Sequence, residues 1–167
     1  PLLAKANRLK SEKRLTELSK QIVALTEQEP TFKNLLDASS LIGKLNFLNY
    51  TTHNNIDQDL YDRLDQWSKP FFFENGMEQV FFASTTKRPL SVDKIIPHLK
   101  AKQQEKIALL CLDCMGFTEW NLLKEYLELA DNEIEINPVF AMLPSVTSIS
   151  RMAIYEGKRE IYNIKTP

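Results

Sequence analysis

The 167-residue sequence is poor in several residues that often carry chemistry, with two cysteines, two histidines and four glycines. None of the four glycines, Gly43, Gly76, Gly116 and Gly157, forms a GxGxxG or P-loop pattern, which disfavours the nucleotide sites built from such loops. No apolar run approaches the ~18 residues that span a bilayer, and no signal-peptide pattern opens the chain, so no membrane partner is expected. A net charge of −1 supplies no global field to recruit nucleic acid or an anionic membrane. Cys111 and Cys114 have CxxC spacing, but a structural zinc needs two further ligands nearby, and the only histidines are His53 and His98. Because Cys111 lies inside an apolar run, its thiol is expected to be buried and inert. Two thiols without a disulfide pattern suggest a reducing, cytoplasmic setting. The opening Pro1-Leu2-Leu3 and the closing Lys165-Thr166-Pro167, straight after a strand-like run from Glu160 to Ile164, read as an excision from something longer.

What is present suits a globular protein, with 43% hydrophobic and 26% charged residues. The first hundred residues read as helical. Leu15, Leu18, Ile22 and Leu25 repeat at spacings of three, four and three, which predicts a bundle helix. Its basic start (Lys5, Arg8, Lys10, Lys13, Arg14) is better read as a solvated face than as a nucleic-acid grip. A second helix is expected from Pro30 and Thr31, with Gly43 passed through or ending it. Asn54-Asn55 is expected to cap a third, carrying Ile56, Leu60, Leu64 and Trp67. Pro70 is expected to start a fourth, running to Ala83. The polar loop from Ser84 to Pro89 is the best boundary, dividing a helical domain, 1–86, from a second domain, 87–167. Ser91 is expected to cap a short helix bearing Ile95, Ile96 and Leu99.

Beyond Gln104 the texture changes. Ile107 to Leu112 is continuously apolar, as in a strand covered on both faces of a parallel sheet. Gly116 permits a turn, Thr118 is expected to cap a helix through Trp120 and Ala130, and Phe117 to staple onto Leu122. Val139 to Leu143 reads as another short strand, followed by a helix from Thr147 to Glu156 closed by Gly157. Strand, helix, strand, helix is the βαβ signature, so the expected fold class is α/β: an N-terminal helical bundle leading into the first strands of a truncated parallel sheet.

In open α/β sheets ligands bind beyond the carboxyl ends of strands. Asp113 ends the first apolar run, and Thr147, in Pro144-Ser145-Val146-Thr147-Ser148-Ile149-Ser150-Arg151, follows the second. A carboxylate and a helix-capping hydroxyl at neighbouring strand tips can share a dication such as Zn²⁺, Mn²⁺ or Mg²⁺. Such an ion would lower the hydroxyl pKa, making Thr147 a candidate nucleophile. Arg151 lies one helical turn on, where its fork could reach phosphate oxygens. Each residue also has a plain structural reading: turn residue, helix cap, or surface ion pair with Glu156 or Glu160.

The stretches Ile107 to Gly116 and Phe140 to Arg151, with Ala153 and Gly157, resemble the PglZ domain, a branch of the alkaline phosphatase superfamily found in bacterial phage-defence (BREX) systems. The likeness covers roughly residues 105–158, and a looser one reaches back through Arg88 to Ile95. It implies an alkaline-phosphatase-like core in which Asp113 and Thr147 ligate the same divalent metal and Thr147 is the nucleophile. Arg151 matches a recurrent family arginine, read here as substrate-binding. Cys114 stands where many relatives have glycine. The superfamily's further Asp and His ligands have no counterpart before Pro167, so this piece alone is expected to be inactive and to bind metal poorly, while the intact protein would hydrolyse phosphate esters. The implied partners are a phosphate-ester substrate, including nucleotide or nucleic acid, and other phage-defence proteins. The rival reading is a non-catalytic interaction module of such a complex.

Overall fold

A computed structural model describes residues 2–54, 57–74, 76–102, 106–129, 133–143 and 145–157. Among them are seven α-helices, one 3-10 turn and no strand. The chain divides into two compact units: one comprises the residues up to Gly76 together with Cys114–Ile136, the other Met77–Asp113 together with the residues from Asn137 on.

In the first unit α1 (Leu2–Thr26), α2 (Phe32–Thr52) and α3 (Gln58–Phe73) enclose a core of Leu18, Ile22, Ala38, Leu45, Leu60 and Leu64. The stripe read from the sequence is the side of α1 that faces this core: Leu18 and Ile22 are buried, with Leu15 and Leu25 packed at the margin. Thr31 caps α2 by accepting from the Asn34 amide at 3.2 Å, and α2 runs straight through Gly43. That glycine is required by close approach. A Cβ there would collide with the Phe117 Cβ and lie 2.8 Å from the Phe117 carbonyl carbon. Phe117 begins α6 (Phe117–Leu129), which packs on α2.

Several local expectations give way here. Asp57, rather than Asn54-Asn55, caps α3, its carboxylate accepting from the Leu60 amide at 3.3 Å. Asn54 instead bonds Thr52; Asn55 and Ile56 lie outside the described residues. Pro70 sits in the last turns of α3, not at the head of a new helix; the chain breaks after Phe73, and α4 (Gly76–Ala83) follows. Thr118 lies inside α6. The Glu119 carboxylate takes over capping by accepting from the Gly116 amide at 2.9 Å, the backward half of a capping box.

In the second unit a 3-10 turn (Val92–Lys94) leads into α5 (Ile95–Ala101), and α7 (Thr147–Glu156) packs on the turn. Val92, Met142 and Ala153 form the core, with Phe81, Ile95, Val139, Ile149 and Ile154 against it. Gly157 ends α7 at φ 64°, the left-handed cap that its sequence position predicts.

Among the described residues the parallel sheet expected from the sequence is not formed. Among the described residues the sole β pairing is one parallel bridge, Ser91 with Phe140. The Val92 amide donates to the Phe140 carbonyl at 3.0 Å, and the Phe140 amide to the Leu90 carbonyl at 2.8 Å. Thus Val139–Leu143 keeps a single rung, and Met142 turns into the core. The run Ile107–Leu112 has neither helix nor ladder, and its side chains are exposed, Leu110 at 80%. A parallel strand needs edge partners as well as covered faces. An apolar run announces that burial is favourable, but not which neighbour provides it.

Ser91 was expected to cap a helix; its hydroxyl makes no capping bond and is wholly buried instead. It lies between Ser84 Oγ, at 2.9 Å, and an oxygen of the buried Asp93 carboxylate. With a single proton, Ser91 donates to the carboxylate and accepts from Ser84. Ser84 in turn accepts from the Leu90 and Ser91 amides, and Lys94 Nζ reaches the second Asp93 oxygen at 3.1 Å. This satisfied network fixes the turn on which α7 rests. Ser91→Ala leaves two of its members short of a partner, and should destabilise the protein by about 1–3 kcal/mol in urea unfolding.

Candidate active site at the start of helix α7

All three residues singled out for chemistry lie in the second unit. Thr147 is the first helical residue of α7, not its cap. Val146 occupies the cap position and cannot supply a side-chain acceptor, so the opening amides of α7 have no capping bond. The positive end of the helix dipole is therefore uncompensated by a cap, which favours an anion there. Thr147 is exposed, and its hydroxyl makes no hydrogen bond among the described residues.

Arg151 follows one turn later, on the same side of α7 as Thr147. Its guanidinium donates to Asp113 Oδ2 at 2.8 Å. The Glu156 or Glu160 partner considered from the sequence is therefore replaced by Asp113 (Glu160 lies outside the described residues). Both side chains are about half exposed, 56% for Arg151 and 48% for Asp113, so water screens the pair. An ion pair of this kind is worth roughly 0–1 kcal/mol and exchanges readily. Asp113 thus meets Arg151 of α7, although 38 residues separate the two in sequence. No sequence signal could have revealed the pairing, because it is made by tertiary approach of an irregular segment.

Residues 91–166 match the family model described as the BREX system PglZ alkaline phosphatase-like domain. No curated protein and no solved structure matches the chain. All of α7, Asp113 and the buried Ser91–Asp93 turn lie within the PglZ match.

The donor chemistry of the matched region is partly right for a divalent ion. Asp113 and Thr147 offer hard oxygens, which Mg²⁺, Mn²⁺ and Zn²⁺ accept. The number is short: among the described residues no group of three or more His, Cys, Asp or Glu side chains is placed to hold a metal. Asp113 is also engaged with a cation of the protein's own. These residues by themselves do not make a metal centre.

Cys111 and Cys114 correct the expectation of a buried thiol, for both are exposed. Loss of the predicted strand explains Cys111, which the sheet was to have covered. Cys114 has φ 59°, a left-handed conformation that costs a side-chain-bearing residue about 1–2 kcal/mol. His98 Nδ1 donates to the Thr86 carbonyl at 2.8 Å, and His53 ends α2 in the left-handed cap; neither approaches a ligand role. Among the described residues no helix is long and apolar enough to cross a membrane.

Proposed function

We propose that the protein is a cytoplasmic phosphoric ester hydrolase of a BREX phage-defence complex. In this reading residues 1–86 form a helical domain and 87–167 the first part of the hydrolase domain. Thr147 is the nucleophile, Arg151 binds the substrate phosphate, and Asp113 with Thr147 contributes oxygens to a divalent ion, Zn²⁺, Mn²⁺ or Mg²⁺. The remaining ligands of such an ion would come from outside the described residues. The observation that supports the reading is the 2.8 Å pairing of Arg151 with Asp113, made one helical turn along α7 from the unbonded hydroxyl of Thr147.

The substrate phosphate is received by the free amides of α7 and by Arg151, which exchanges Asp113 for phosphate oxygens at little cost. Thr147 Oγ then attacks phosphorus; the Oγ–P bond forms as the ester P–O bond breaks, and the alcohol leaves with the proton given up by Thr147. Water releases the phosphate and restores the hydroxyl.

The test is turnover of a generic phosphate monoester and diester by the full-length protein with Mn²⁺ or Zn²⁺. Asp113→Ala is expected to abolish it, and Arg151→Lys to reduce it by about 10²-fold, since an ammonium cannot reproduce the two-pronged contact. Unchanged turnover in Asp113→Ala refutes the assigned roles. The second reading, a non-catalytic interaction module of the same complex, is favoured by the exposed apolar run Ile107–Leu112 and predicts no turnover with any metal.

A further inference from the structure

Helix α6 is apolar on two sides. Phe117, Trp120, Leu123 and Leu127, at spacings of three, three and four, are half-buried, and the helix packs on α2. Leu122, Tyr126 and Leu129 repeat at four and three on the opposite side, along about 10 Å of helix. All three are exposed, Tyr126 at 66% and Leu129 at 84%. Single apolar residues scattered over a surface are ordinary, but three in helical register make a second stripe that water leaves unsatisfied.

Negative charge borders this stripe. At about 100° per residue, Glu119 and Glu125 fall to either side of it. Both are exposed. Glu119 accepts from the Gly116 amide, which leaves its charge in place, and Glu125 has no ion pair among the described residues. Lys124, the one cation of α6, is paired with Glu128 at 3.1 Å. Across residues 114–136 six acidic residues stand against that single lysine, in a chain whose net charge is only −1.

We infer that this side of α6 docks a basic amphipathic helix of a partner protein. Its apolar side covers Leu122, Tyr126 and Leu129, and its flanks set lysine or arginine against Glu119 and Glu125. The four-and-three spacing matches the ridges that one helix packs against another. A second copy of the same stripe is the poorer occupant, because it would set glutamate against glutamate, and an anionic membrane is repelled for the same reason. None of these residues belongs to the candidate active site, so the inference stands apart from the hydrolase reading.

Fluorescence anisotropy with the full-length protein tests it, using labelled helical peptides of about fourteen residues. Each carries one leucine stripe, bordered by lysine, glutamine or glutamate. The lysine peptide should bind best and the glutamate peptide worst. Tyr126→Ser should weaken the lysine peptide by about tenfold, the effect of losing one buried aromatic contact. Glu125→Lys should move the preference towards the glutamate peptide. Both positions are exposed, so Tm should stay at the wild-type value; should Tyr126→Ser unfold the protein, Leu129→Ser at the end of α6 replaces it. Equal binding of lysine and glutamine peptides, an affinity untouched by the serine variant, or no binding of any peptide overturns the inference. Self-association in sedimentation velocity, or binding to phosphatidylserine vesicles, that the serine variant abolishes would also overturn it, by giving the stripe to a second copy or to a membrane.

Discussion

Thr147→Ala is expected to lower phosphate-ester turnover by about 10³-fold or more, without changing the fold. The two expectations have the same origin. Thr147 is exposed at the first position of α7, where its hydroxyl makes no hydrogen bond among the described residues, and Val146 rather than Thr147 holds the cap position. Removing an unbonded surface hydroxyl costs the fold little, and alanine is the better helix former. In the hydrolase reading the same oxygen forms the bond to phosphorus, so nothing replaces it. Thr147→Ser keeps the oxygen and should retain measurable turnover. Circular dichroism alongside the kinetic assay separates chemistry from folding. Equal turnover in wild type and Thr147→Ala would remove the nucleophile from the account.

Gly43→Ala is the substitution expected to damage the fold most. On helix propensity alone it should stabilise α2 by about 1 kcal/mol. Packing reverses the sign. The added methyl collides with the Phe117 side chain and meets its carbonyl carbon at 2.8 Å and its oxygen at 3.0 Å. The Phe117 backbone cannot swing aside as a flexible side chain tip would, because it starts α6, held there by the Gly116 amide on Glu119. The helix must move bodily off α2. Overpacking usually costs about 1–3 kcal/mol, and a backbone collision belongs at the upper end. Urea unfolding should report a loss of about 3 kcal/mol; a gain would mean that α6 does not seat against α2.

Signals confined to a few residues were legible in the sequence. The three-four-three spacing of Leu15, Leu18, Ile22 and Leu25 marks the buried side of α1, Thr31 caps α2, and Gly157 closes α7. Each depends on contacts within a turn or two of helix. Caps are less legible where several polar residues lie close together. Asp57 caps α3 because its carboxylate lies within reach of the Leu60 amide, while Asn54 bonds Thr52. The sheet was not legible, for the reason that makes β pairing non-local. Ile107–Leu112 has the composition of a buried strand, but its hydrogen-bonding edges need partners from distant sequence, and among the described residues none pairs with it. The exposure of Cys111 follows from the same missing ladder.

The candidate site was legible as residue types but not as an arrangement. Asp113, Thr147 and Arg151 could be picked out from strand-end and helix-start logic. The strands that motivated the choice are absent among the described residues, yet Asp113 still reaches α7, through Arg151. What the sequence could not supply was the ion pair, or the lack of a side-chain cap at Val146. Both decide how an anion would be received.

The most direct test is to stop the full-length protein in acid during turnover of a phosphate ester with Mn²⁺ or Zn²⁺ and locate bound phosphate by peptide mass spectrometry. The hydrolase account predicts phosphothreonine at Thr147, absent from Thr147→Ala. Sustained turnover with phosphate on another residue, or with none on the protein, would contradict it.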